Sequence, residues 1–498
     1  MILVFIQAVL VIGAGVGLFR LWRFAAPAEP RLRYVVAIGF VGRSVLGQAL
    51  FWISWARLPI ARSMQLGDGL WSFAIDSLLY VPSAFWGAEH GPWAIVMFDR
   101  TSPSVMFIQA LSVTVWLVGL VTSSALLLNL FCFLGMIAMV VHWPVKTPAA
   151  RNAAAVVIAA ISLSPAFVLW SVQPLKDTFF QFLVVAFVAS CAWWQRAWSM
   201  PDRAGSRLAA GALMAVLLFA LAGIRWYFAF ALLIAASLFV FLNAFTTAAR
   251  AIVAFSAAAV LAIVFCRGLV LSARPYMPPE LVAALTPSTA IGTIRQVPVV
   301  LLGGVDSARE GFQRFGGRTA IVAGKAPAPK PTPRPVPPVT VTTATIPVAV
   351  AVAPATIAES PAAPAPDNVV QPQSRAARLL SGVAVTVLPR TIGESLGLFH
   401  IAGGRGMLWF TEIDTLIFDL SLLLAIAAVV MRFRTSLRDP LTWFIAMLTL
   451  LVGGPLVYTI TNYGALFRLR EMIFLGLLFL PLAVTTATPA RTRAGSVD

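Results

Sequence analysis

Stretches of about 20 nearly uncharged, apolar residues recur along the whole chain, at 2–22, 34–56, 104–122, 124–142, 152–172, 177–195, 207–224, 226–245, 251–272, 413–431, 440–460 and 471–487. Each has the length of a helix that crosses a bilayer and is too long for a barrel strand. Backbone polar groups in lipid must be satisfied within the segment itself, so the spans are helical. The expected fold is an all-α, polytopic integral membrane protein with about 12–13 transmembrane helices. Composition agrees: 60% of the 498 residues are hydrophobic and 11% are charged, against about 25% charged in soluble domains.

A net charge of +17 would suggest nucleic acid in a soluble protein, but here the basic residues lie mostly in short loops between spans. They read as a topology signal, with no nucleic-acid partner. Lys146 and Arg151, then Arg196, Arg203 and Arg207, then Arg250, then Arg432, Arg434 and Arg438, then Arg491 and Arg493 alternate with loops that hold few basic residues. The basic sets are expected in the cytoplasm, and the intervening loops outside. Arg20, Arg23, Arg31 and Arg33 also ask to be cytoplasmic, and twelve crossings then break the alternation. A thirteenth crossing over 69–87 would restore it. That segment also reads as an amphipathic helix lying in the membrane interface. The N-terminal run lacks the basic start of a cleavable signal and reads as the first helix.

Three regions follow: an N-terminal helical region at 1–272, a large extracytoplasmic loop at 273–412, and a C-terminal helical region at 413–498. Within the loop, 326–366 is an Ala-Pro-Val-Thr tract almost without aromatic residues, which cannot build a core and reads as a disordered linker. The flanks, 274–325 and 372–411, mix polar and apolar residues and suit short helices packed on the outer ends of the spans.

Several polar groups depart from this background. Lys176 and Asp177 follow Pro174 in "SVQPLKD", where a helix must break. A break at that depth suits a cavity wall, and equally a mutually paired turn. Arg225 sits between two spans in "LAGIRWYFAF", where a guanidinium suits a phosphate or the outer lipid headgroups. "TNYGALFRLREM" gathers Asn462, Arg468 and Arg470 before the last helix, on the side where the charge rule disfavours basic residues. Asp68 and Asp76 in "MQLGDGLWSFAIDS" are acids at the membrane edge. Asp99 with Arg100, and Glu412 with Asp414, read as local helix-start features. Cys132, Cys191 and Cys266 are widely spaced within apolar runs, and His90, His142 and His400 share no ligand spacing, so no metal or other cofactor is identified. No Walker loop, GxGxxG or GxSxG motif occurs, so ATP-driven transport, dinucleotide chemistry and triad hydrolysis lack support.

The order of these pieces resembles bacterial GT-C-like integral-membrane glycosyltransferases and O-antigen-type polysaccharide polymerases. The resemblance rests on an early acidic loop at Asp68, the "SP…WS…LKD" junction at 164–177, an Arg after a later span at Arg225, and the "N-x-G…R-x-R" turn at 462–470. It implies a multi-pass protein of the bacterial cytoplasmic membrane that assembles cell-envelope polysaccharide. A sugar or oligosaccharide would pass from a polyprenyl-phosphate-linked donor to a glycan acceptor at the outer face. Lys176, Asp177, Arg225, Asn462, Arg468 and Arg470 would bind the substrate, with Asp68 as base and Asp76 as second candidate. A transporter or flippase for lipid-linked sugars, and a non-catalytic envelope scaffold, stand as the alternatives.

Overall fold

The computed structural model describes residues 2–96, 104–119, 121–199, 204–244, 248–273, 321–323, 375–401, 408–459 and 463–487. The linker tract 326–366, Asp99, Arg100, Arg203 and Asn462 lie outside the described residues. Among those described, nine helices are long and apolar enough to cross a membrane, or ten if one bent pair counts as a span.

The first two spans are α1 (Ile2–Ala25) and α2 (Pro30–Trp55), the latter opened by a proline whose missing N–H costs nothing at a helix start. A hairpin of β1 (Gln65–Gly67) and β2 (Leu70–Trp71) follows, then α3 (Ser77–Glu89), α4 (Gly91–Val96) and α5 (Val105–Val118). The central helices are α6 (Val121–Val141), α7 (Pro148–Leu163) with its bent continuation α8 (Pro165–Ser171), α9 (Asp177–Ser199), α10 (Ala204–Ala222), α11 (Trp226–Ala244) and α12 (Ala248–Ala273), all but α12 counted among those spans. In the second flank of the large loop lie α13 (Arg375–Val387) and α14 (Arg390–Ser395), followed by α15 (Leu408–Met431), α16 (Phe433–Ser436), α17 (Pro440–Thr459), α18 (Tyr463–Leu469) and α19 (Glu471–Thr486).

The contacts sort the helix ends onto two sides. At one end, the α8–α9, α10–α11 and α18–α19 junctions meet through Asp177, Arg225 and Arg468. At the other, Phe24 stacks on His142 at 4.1 Å, Arg432 reaches the carbonyl of Thr485, and Arg207 lies over Trp198. Arg207 and Arg432, two of the basic residues used to orient the chain, therefore lie opposite the ion pairs.

This corrects two expected crossings. Residues 69–87 divide between β2, a 3-10 turn and α3, whose 13 residues give a helix only about 20 Å long. The run 104–122 does not cross either. Ser104, just before α5, bonds Lys176, while Asn129 in α6 bonds the carbonyls of Ser171 and Gln173 in the same α8–α9 break. The α5–α6 hairpin thus leaves that end of the bundle and returns to it. Apolarity there serves packing: α5 lies against α3, with Tyr80 edge-on to Phe107. Removing one crossing, instead of adding one, reconciles the N-terminal arginines with the other basic loops.

The α7–α8 bend of 48° has a sequence cause. Pro165 has no N–H to give to the preceding turn, and Ser164 before it is extended, with φ −58° and ψ 130°. Arg43 of α2, buried in the bundle, donates to the freed carbonyls of Ile161 at 2.7 Å and Ser162 at 2.8 Å. Asp414 of α15 accepts from the Ser164 hydroxyl at 2.6 Å and the Ala166 N–H at 3.2 Å, capping α8.

The second flank of the large loop behaves as its composition suggests. α13 and α14 pack on the helices around them, and the Thr386 carbonyl accepts from Arg470. β4 (Phe399–Ile401) pairs antiparallel with β3 (Ile321–Ala323), Ile321 opposite Ile401, joining the two sides of the loop.

Candidate functional site

The site is built around the break between α8 and α9. Pro174 and the residues beside it form a turn whose carbonyls would be orphaned in an apolar bundle. Asn129 satisfies those of Ser171 at 2.8 Å and Gln173 at 3.0 Å, and the Ser77 hydroxyl approaches that of Pro174 at 3.4 Å. Asp177 then opens α9, where the helix dipole favours a carboxylate.

Asp177 is 1% exposed and receives two guanidiniums. Arg225, from the short α10–α11 junction, donates to one carboxylate oxygen; Arg468, at the end of α18, donates from Nε to the other at 2.8 Å. Arg468 also reaches outward, its Nη1 2.6 Å from Oδ2 of Asp76. Asp76 precedes α3 and its side chain is 37% exposed, so the network runs from a buried acid to an accessible one. Lys176 donates from Nζ to the Ser104 hydroxyl at 2.7 Å, and that hydroxyl lies 3.3 Å from the Tyr80 phenol. Burial, followed by Asp76, pushes the phenol of Tyr80 up and keeps it a neutral donor. Aromatic rings pack on all three cations: Arg225 over Phe180, Arg468 over Trp170 and Lys176 over Tyr80.

With Lys176 protonated, three cations thus face two carboxylates, one excess positive charge at the end of the bundle where the basic loops are not. Such an arrangement suits a divalent or monovalent anion beside Asp76, with donors of fixed geometry.

Five of the residues singled out from the sequence, Asp76, Lys176, Asp177, Arg225 and Arg468, come together here. Arg470 does not. It is buried against Asp414 at 2.7 Å and the Thr415 hydroxyl at 2.9 Å, in a second knot that binds α19 to α15 and, through Ser164, to the α7–α8 bend. Its neighbour Glu471, also buried, accepts from the Gln181 amide. Asp68 stands exposed at the tip of the β1–β2 hairpin, in a Gly67-Asp68-Gly69 turn with φ of 89°, 53° and 82°. The turn requires the two glycines, and no hydrogen bond or ion pair joins Asp68 to the network among the described residues. Asp414, expected as a helix-start acid, instead belongs to the buried knot, and Glu412 accepts from the Thr391 N–H at 3.0 Å. No group of three His, Cys, Asp or Glu side chains suited to a metal occurs among the described residues.

Tyr80, Ser104 and Asn129 support the site but were not apparent from the sequence, where no spacing relates them to the α8–α9 break.

No protein-family model, no curated protein and no solved structure matches this chain.

Proposed function

We propose that this chain is a membrane glycosyltransferase or polymerase of the GT-C-like type. It takes a sugar or oligosaccharide from a polyprenyl-phosphate-linked donor to a glycan hydroxyl, at the outer face of a bacterial cytoplasmic membrane. The observation that carries the reading is Arg468, which ties the exposed Asp76 to the buried Asp177 beside two further cations. A lipid phosphate at headgroup depth needs fixed cations and an accessible base, and this end of the bundle holds both.

In the proposed reaction Asp76, not Asp68, takes the proton from the acceptor hydroxyl. The acceptor oxygen forms a bond to the anomeric carbon, and the bond from that carbon to the phosphate oxygen breaks. Its electron pair leaves with the lipid phosphate, and the proton on Asp76 passes to water. Lys176 and Arg468 stabilise the charge that grows on the departing phosphate, which lowers the barrier only if they are positioned beforehand. Asp177 and Arg225 hold Arg468 in place from behind.

The test is binding of radiolabelled undecaprenyl phosphate to the full chain in lipid nanodiscs. Saturable binding that weakens at least about tenfold in Arg468→Gln is expected, the lower end for removing a charge-assisted contact. Equal binding by both proteins would exclude the cation cluster as the phosphate site.

A further inference from the structure

Glu471 is the one buried glutamate among the described residues, 4% exposed, and the transfer reaction makes no use of it. It opens α19 directly behind Arg470, whose N–H still bonds the Leu466 carbonyl of α18, so the helix runs on and Glu471 does not stand at a free helix start. Gln181 meets it from α9, 1% exposed and one turn after Asp177. The Gln181 amide donates from Nε2 to Oε2 of Glu471.

The rest of this pair is incomplete. Oε1 of Glu471 and Oε1 of Gln181 are both buried without a hydrogen-bond partner. Both atoms are acceptors, so what the pair lacks is a donor. The charge is unbalanced in the same sense. Arg225 is taken by Asp177, Arg470 by Asp414, and Arg43 by the carbonyls of Ile161 and Ser162; among the described residues no ion pair reaches Glu471. Asp177 on α9 and Asp414 on α15 repel a charge there, while Arg225 and Arg43 attract it without pairing. A bare carboxylate at this place would be a buried ion without a counter-ion, which is strongly disfavoured.

We infer that Glu471 is a proton-binding site inside the bundle, its acid hydrogen carried on Oε1 and donated to Oε1 of Gln181. A carboxylic acid and a primary amide complement each other through two hydrogen bonds, one from the amide N–H to the acid and one from the acid O–H to the amide oxygen. The first is present, and the second supplies the donor that both free oxygens lack. A proton needs only these two oxygens, whereas a calcium or magnesium ion takes about six. No group of three His, Cys, Asp or Glu side chains suited to a metal occurs among the described residues. Loss of the proton would set a further carboxylate near the Asp177–Arg225 pair, so occupancy of this site bears on the network at the α8–α9 break.

Infrared spectroscopy of the full chain in an ester-free detergent at neutral pH tests this, with the side-chain carboxyl groups of glutamate labelled with a heavy carbon isotope. Wild type should show the carbonyl stretch of an un-ionised acid, shifting in heavy water and on labelling of glutamate. Glu471→Gln should remove that band and unfold at the wild-type temperature, because a second amide pairs with Gln181 as the neutral acid does. Gln181→Leu should keep the band and move it to higher frequency, since the acid hydrogen loses its acceptor. The absence of a glutamate-sensitive acid band in wild type, which would mean a carboxylate served by buried water, would overturn the inference. So would the same band in Glu471→Gln, or its loss when sodium chloride is added to sodium-free protein, which would make the occupant a metal cation.

Discussion

Arg468 donates to Asp177 at 2.8 Å across 291 residues of chain, joining α18 to the α8–α9 break at one end of the bundle. Asp177 is buried there with two guanidiniums, so its neutralisation takes the carboxylate from Arg225 and leaves Arg468 with Asp76 alone. Asp177→Asn should cost about 3–5 kcal/mol, and the Asp177→Asn, Arg225→Gln double variant less than the sum of the singles. Thermal unfolding in detergent, run as a double-mutant cycle, checks this; additivity would mean that the pair does not interact.

Arg468 and Arg470 should separate in phenotype although two residues apart. Arg470 is spent on Asp414 and Thr415 inside the bundle, so Arg470→Gln should lower stability by about 3–5 kcal/mol. Arg468 is 16% exposed and also serves Asp76, so Arg468→Gln should chiefly weaken binding of undecaprenyl phosphate. Measuring unfolding and lipid binding on both variants distinguishes the roles.

Lys176 lies in the break between α8 and α9, outside the spans. Burial, then the nearby Arg225 and Arg468, push its ammonium down to about 7. It is a cation below that pH and neutral above it, so affinity for a lipid phosphate should fall as pH rises through 7, by up to about tenfold per unit. Lys176→Arg should flatten the profile. The stability effect has the opposite sense: between about 7 and the ordinary value of 10.5 the unfolded chain holds a proton that the folded one lacks, so this group adds stability as pH rises.

Gly39 is where α2 meets the α7–α8 bend. A Cβ there would lie 2.8 Å from the Ser162 carbonyl, which is backbone and cannot swing away. Gly39→Ala should cost about 1–3 kcal/mol through strain. Arg43→Met should also destabilise, by about 1–3 kcal/mol for each buried carbonyl it abandons, at Ile161 and Ser162. Unfolding midpoints at or above wild type in both would show that the bend does not depend on α2.

The apolar runs announced the helical membrane architecture, because lipid leaves the backbone few choices. They misled at 104–122, since an apolar helix packed on others reads like one that spans. Loop charge placed Lys176, Asp177, Arg225 and Arg468 at one end, and the structure brings these four together. Which acid joins them depended on side-chain geometry: Asp68 is turned out by a hairpin, while Asp76, eight residues on, meets Arg468. Arg470 looked equivalent to Arg468 in sequence, but two residues along a helix change the face by about 200°, and the second arginine meets Asp414 instead.

The most direct test of the proposed transfer is turnover by Asp76→Asn. The full chain, reconstituted in vesicles, would be given the lipid-linked glycan fraction extracted from the membranes of its own cells, and the release of free polyprenyl phosphate or diphosphate followed over time. Wild type should release it, Asp68→Asn should match wild type, and Asp76→Asn should be slower by about 10²–10⁴-fold while unfolding at the same temperature. Release by Asp76→Asn at the wild-type rate, or no release by wild type, would contradict the account.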